Sequence, residues 1–153
     1  MSDVEARLES MGIALGKPPS AAGNYLPYRI SGNLMILSGM LPFSGGELTH
    51  KGKVGREQSE EEGYKAARNC VLTALPIIKD ALGSLDRISK VLLVNGFVNG
   101  IEGFSSSPAI INGASDFLVE LLGEAGKHAR TAVSVSGLPL DATVELQITL
   151  EFD

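Results

Sequence analysis

Apolar residues recur at helical spacing in two long stretches of the chain and alternate with polar ones in several shorter stretches, so helices and strands are interleaved. Tyr64, Ala67, Val71, Leu75, Ile78 and Leu82 mark one face of a helix that follows Ser59 and stops at Gly83. Ser59 and Glu62 have the spacing of a capping box, in which each side chain bonds the other's backbone N–H. Pro76 falls inside this helix and should kink it, because proline removes a backbone donor and crowds the preceding turn. A second helix is expected with Ser107 as cap and Pro108 at its first position; Ile111, Ala114, Leu118, Leu121 and Ala125 line one face, and Gly126 ends it. Residues 3–12 read as a short amphipathic helix, followed by the breaker-rich GKPPSAAG.

The strand signals are of three kinds. LPYRI and NLMILS are short runs separated by Ser31, Gly32 and Asn33. ISKVLLVNGFVNG is apolar on both sides of its alternation, as a central strand is. In TVELQITLEF, Val144, Leu146, Ile148, Leu150 and Phe152 alternate with Thr143, Glu145, Gln147, Thr149 and Glu151. In RTAVSVSG, the set Thr131, Val133, Val135 alternates with Arg130, Ala132, Ser134, Ser136, and the second set is assigned to the polar face. Residues 39–55 form a glycine-rich segment, too long for a tight turn, that could hold one more strand. Two helices suffice to cover one face of such a sheet. The other face, rich in small polar residues, reads as an interface or a pocket.

Composition narrows the function classes. The chain has 153 residues, enough for one domain with a proper core. Its net charge is −5, and its basic residues form no stripe of the kind that neutralises phosphates. No apolar run approaches a membrane span, and the charged N-terminus lacks a secretory core, so a soluble cytoplasmic protein is expected. Cys70 is alone, without metal-ligand companions, and sits near the buried stripe of the first long helix, where a small core residue fits. His50 and His128 are far apart in sequence and read as surface histidines. No phosphate-binding or dinucleotide-binding glycine motif is present, so neither a cofactor nor a metal is expected.

Polar groups on strands remain. Arg130 is either a solvated charge at a strand end or a bidentate fork for a carboxylate, a geometry lysine cannot reproduce. Glu145 is either an exposed strand carboxylate or a functional one. If GLPLDA is a symmetric turn, Arg130 faces Thr149 and Glu145 faces Ser134. That offset is roughly 13 Å at the usual strand rise of ~3.3 Å, so the two would share a ligand only across subunits.

The stretches AAGNYLPYR, LMILSGMLP, IINGASDF and ARTAVSVSGLPLDATVELQITLEF resemble the RidA family, also called YjgF/YER057c/UK114. The resemblance covers residues 21–153, with residues 1–20 as an N-terminal extension carrying the short helix. It implies an α+β fold like chorismate mutase of the bacillus type: a mixed six-stranded sheet with two helices on one face, three subunits closing into a barrel with pockets between them. It also implies hydrolysis of 2-imino and 2-enamino acids to 2-keto acids and ammonia. Arg130 would then hold the substrate carboxylate and Glu145 would position or activate water, with Tyr25, Ser38, Gly39 and Asn112 at matching pocket positions. The chain departs from the family at Ala132, where cysteine is common, at Asn24, in Leu26-Pro27-Tyr28, and in the 39–55 segment, all of which bear on substrate identity. The competing functions are a trimeric binder of small carboxylates without turnover and an RNA-directed protein, the latter disfavoured by charge.

Overall fold

The computed structural model describes residues 3–21 and 23–153. Met1 and Ser2, in the expected extension, and Ala22, in the AAGNYLPYR stretch, lie outside the described residues. The elements are α1 (Val4–Ser10), β1 (Tyr28–Ser31), β2 (Leu34–Leu37), β3 (Phe43–Ser44), β4 (Glu47–Leu48), α2 (Glu60–Leu82), β5 (Ile88–Asn99), α3 (Ser107–Leu122), β6 (Ala129–Val135) and β7 (Val144–Phe152).

α2 starts where Ser59 accepts a hydrogen bond from the Glu62 N–H, and three glutamates sit against the positive end of its dipole. Only half of the expected box forms, because the Glu62 carboxylate turns to His50 and Lys65 instead. The helix runs on through Pro76 to Leu82 and stops at Gly83, whose φ of +84° suits a residue without a Cβ. α3 is capped one residue earlier than the sequence suggested: Ser106 holds the cap position, Ser107 is buried, and Pro108 lies in the first turn. It ends at Leu122, and a 3-10 turn over Gly123–Gly126 continues to β6.

The main sheet has five strands in the order β1-β2-β7-β5-β6, all neighbours antiparallel except β5 and β6. The extra strand signal in residues 39–55 becomes a separate hairpin, β3–β4, turned by Gly45 and Gly46 at φ +60° and +82°. β5 lies between β6 and β7, so these last two strands are not a hairpin; α3 carries the chain from β5 to the parallel β6. The segment after the β3–β4 hairpin is firmly held. Lys53 Nζ donates to Asn99 Oδ1 at 2.8 Å, the Gly52 N–H to the Asp141 carbonyl at 2.8 Å, and Asn99 Nδ2 to Asp141 Oδ1 at 3.0 Å.

α2 and α3 pack on each other and on one face of the sheet, burying Val94, Val98, Leu146, Ile148 and Leu150 beneath Val71, Leu75, Ile111 and Leu118. On the opposite face Ile36 is 47% and Val133 41% exposed, while Leu93, Phe97, Glu145, Gln147 and Thr149 are half-buried. No described helix packs over that face.

Candidate functional site

Arg130 sits in register with Val94 and, through it, with Ile148. Both neighbours are buried under the helices, so Arg130 projects to the helix side of the sheet. This reverses the face expected for it, and for Ala132 and Ser134 with it. Thr131 and Val133 are the exposed set of β6. Arg130 Nη1 donates to Ser115 Oγ at 3.1 Å and Nη2 to the Pro108 carbonyl at 3.2 Å. Asn112 is exposed on α3 between these two anchors, four residues after Pro108 and three before Ser115, and so shares their face. The helical spacing of the resemblance-derived Asn112 thus brings it beside Arg130.

His128 completes this cluster: its Nε2 is 2.9 Å from Ser115 Oγ and its Nδ1 2.7 Å from the Gly126 carbonyl. Sequence reasoning passed over Ser115 and read His128 as a surface residue. The signal was parity, since His128 stands two residues before Arg130 and leads into the same strand.

The other half of the candidate site lies at the β2 and β7 end of the sheet. Glu145 shares a row with Phe97 and Val133 on the face that the helices leave open. It is half-buried, and desolvation holds its carboxyl above the usual glutamate range. The side chain lies against Gly39, where a Cβ would push the carboxylate aside. Tyr25, Gly39 and Glu145 line one cavity of about 1090 Å³, with Leu140, Met40 and the arm of residues 13–21 as further walls. Ser38 braces this region: its hydroxyl donates to the Leu26 carbonyl at 2.6 Å and its N–H to the Pro27 carbonyl at 2.9 Å, fastening the segment that carries Tyr25.

Within one chain the two halves stay apart. Glu145 is three residues along β7 from Ile148, the residue in register with Arg130, which is roughly 10 Å at ~3.3 Å per residue. The two side chains also leave opposite faces, and β5 stands between their strands. Pairing through β5 aligns Arg130 with Ile148 and Ser134 with Val144, not with Thr149 and Glu145 as a symmetric turn required.

Two other reactive side chains are occupied elsewhere. Cys70 is fully buried and faces the Val144 carbonyl, and desolvation drives its thiol well above the usual range, which makes it a core residue. His50 Nε2 pairs with Glu62 Oε2 at 2.7 Å and its Nδ1 lies 2.8 Å from Thr49 Oγ1, clasping the 39–55 segment to the first turn of α2. No described helix is long and apolar enough to cross a membrane.

The model of a protein family described as "YjgF/chorismate mutase-like, putative endoribonuclease" matches residues 5–151. The chain is 39% identical to Protein TCP17 of Trypanosoma cruzi over 98% of its length and 94% of that protein. A protein of unknown function from Agrobacterium tumefaciens has a similar crystal structure: 41% identity, TM-score 0.90, covering 98% of this chain and 92% of that one. A Shewanella oneidensis structure carrying the same endoribonuclease description matches at 34% identity and TM-score 0.93, over 97% and 99% of the two chains. The fold alone is shared with Escherichia coli TdcF, solved with bound serine, at 19% identity and TM-score 0.66, over 90% and 94%.

Proposed function

The chain belongs to the YjgF/chorismate mutase-like family, and from that premise we propose that it hydrolyses reactive 2-imino and 2-enamino acids to 2-keto acids and ammonia, in pockets shared between the copies of a homotrimer. The observation that carries this reading is the pair of halves: an arginine anchored along one helix and a desolvated glutamate in a cavity, on opposite faces of one sheet. A second copy must supply one half if both are to meet a single small molecule.

Two of the five N–H donors of Arg130 are spent on α3, which fixes the plane of the guanidinium and leaves the others for a carboxylate. Asn112 stands alongside as a further polar contact. In the other half, Glu145 in its ionised form accepts a hydrogen bond from water and orients it, while Gly39 offers backbone groups at the same spot. The chemistry asks little of the protein. An iminium carbon is already electrophilic, so holding the carboxylate and aligning water supplies the catalysis. Water adds to the imine carbon, and the C=N electron pair moves to nitrogen and takes up one of water's protons. The resulting carbinolamine collapses to a ketone as its hydroxyl proton passes to nitrogen and the C–N bond breaks to release ammonia.

An RNA-cleaving role lacks support in the side chains, since His50 is engaged by Glu62 and His128 by Ser115 and the Gly126 carbonyl. The deciding experiment generates 2-iminopropionate or 2-iminobutyrate in situ and follows its decay. Accelerated decay, lost in Glu145→Gln, is the expected result. Keto-acid binding without accelerated decay would make the protein a carboxylate-binding trimer, and absence of both would refute the site.

A further inference from the structure

A chain of hydrogen bonds runs from the backbone into the guanidinium of Arg130, and its directions can be assigned. The Gly126 carbonyl only accepts, so His128 Nδ1 carries the proton of their 2.7 Å contact. A neutral imidazole then has its lone pair at Nε2, and the Ser115 hydroxyl donates to it across 2.9 Å. A guanidinium only donates, so Ser115 Oγ accepts from Arg130 Nη1 across 3.1 Å. The Ser115-to-His128 direction holds only while His128 is neutral.

We propose that Ser115 and His128 belong to the carboxylate site and couple it to a proton: when a carboxylate docks on Arg130, His128 takes up a proton from solvent and Ser115 turns its hydroxyl from His128 to the ligand. This inference rests on the reading of Arg130 as the carboxylate-binding residue. Protonation makes Nε2 a donor. Ser115 Oγ then accepts from Nε2–H and from Nη1–H, which uses both its lone pairs and frees its own proton. In the empty site that state sets two cations on either side of one oxygen. A bound carboxylate supplies both the negative charge between them and an acceptor for the freed hydroxyl. Ligand and proton therefore favour each other, by the same factor in both directions. One proton passes from solvent to Nε2, and the other changes are exchanges of hydrogen bonds.

The charged groups on the surrounding elements are committed elsewhere. Lys127 pairs with Glu124 at 2.8 Å, Asp116 accepts from Tyr64 of α2, and Arg7 of α1 donates to the Leu121 carbonyl. Glu120 is exposed on α3. Arg130 is the charge that reaches His128 through Ser115, and imidazole is the side chain that changes charge near neutrality.

The test is titration calorimetry of pyruvate into the full-length protein near neutral pH, in phosphate and in Tris, whose ionisation heats differ widely. The expected result is an apparent enthalpy that differs between the buffers in the sense of net proton uptake, with affinity rising as the pH is lowered from about 8 to about 6. His128→Gln keeps an acceptor toward Ser115 but cannot titrate, so the buffer dependence should vanish and affinity should fall to the weaker value the parent shows at the alkaline end of that range. Ser115→Ala should weaken binding about tenfold, as expected for one hydrogen bond to a charged group, and also lose the proton uptake, whereas Ser115→Thr should keep both. Binding by the parent protein without buffer dependence overturns the inference, as does a dependence that persists in His128→Gln. Failure of the parent to bind pyruvate at all removes the Arg130 reading, and this coupling with it.

Discussion

At position 130 the geometry separates arginine from lysine. Charge-assisted bonds of a guanidinium to a carboxylate contribute about 1.5–3 kcal/mol, and the fork also sets the ligand's plane. Arg130→Lys should therefore weaken 2-keto acid binding, and Arg130→Ala should weaken it further; calorimetry reads both. Unchanged affinity in Arg130→Ala would reduce the residue to a brace between β6 and α3. Glu145 makes a different prediction. Its carboxyl is raised by desolvation, so the fold favours the protonated form. Its contribution to stability is then fully present below the unfolded-state value and is lost as pH rises through the folded one. Glu145→Gln, which cannot ionise, should compare best with the parent in urea melts near neutral pH and lose that advantage in acid. The same substitution should leave keto-acid binding intact and lower imine turnover by about 10²-fold, the size expected for a positioned acid–base group. The acid limb of the parent's pH–rate profile should lie above the ordinary glutamate range and disappear in the mutant.

At the scale of elements, the two long helices lie close because glycine stands where they cross. A Cβ at Gly113 would run into the backbone carbonyl of Tyr64, which has no rotamer by which to move aside. Gly113→Ala should therefore cost about 3 kcal/mol, at the upper end for overpacking, and show as a lowered urea midpoint with unchanged slope. Both helices were legible in the sequence because their apolar stripes are long and their stops are glycines. Val144 to Phe152 was equally legible, since every second residue is aliphatic or aromatic. β6 was not. Thr131, Val133 and Val135 look like the buried set, yet Arg130, Ala132 and Ser134 face the helices. Alternation tells that a strand has two sides, and only the partners across the sheet tell which side is in. A symmetric turn between β6 and β7 was also the simplest reading of GLPLDA, but β5 intervenes, and pairing by counting across a turn cannot see an inserted strand. The Tyr25, Gly39 and Glu145 grouping was legible through the family resemblance. The Ser115 and His128 partnership was not, because it depends on a helix and a strand meeting sideways.

For the whole molecule, the open sheet face is what the proposed trimer would cover. Ile36 and Val133 are exposed on it, with Leu93 and Phe97 half-buried between them, while Gln147, Thr149 and Glu145 interrupt the apolar area. Exposed apolar side chains on a face of this mixed character are poorly suited to bulk water, although Glu145 and the Lys90–Glu151 pair lie on the same face. β6 adds an edge strand with no neighbour on its outer side among the described residues. In the proposed trimer, copies would cover one another's open faces, and a shared site would take Arg130 from one copy and Glu145 from another, which one chain cannot supply. Light scattering at micromolar concentration should give a mass near three chains of 16.1 kDa. The double substitution Ile36→Asp and Val133→Asp sets like charges into the covered faces and should yield monomers with unchanged far-UV circular dichroism. Those monomers should also lose keto-acid affinity, although neither position belongs to the proposed pocket. A parent protein that runs as a clean monomer would remove the shared site. Monomers of the double variant that bind pyruvate as well as the parent would show instead that each chain carries its carboxylate site alone, with the open face serving assembly only.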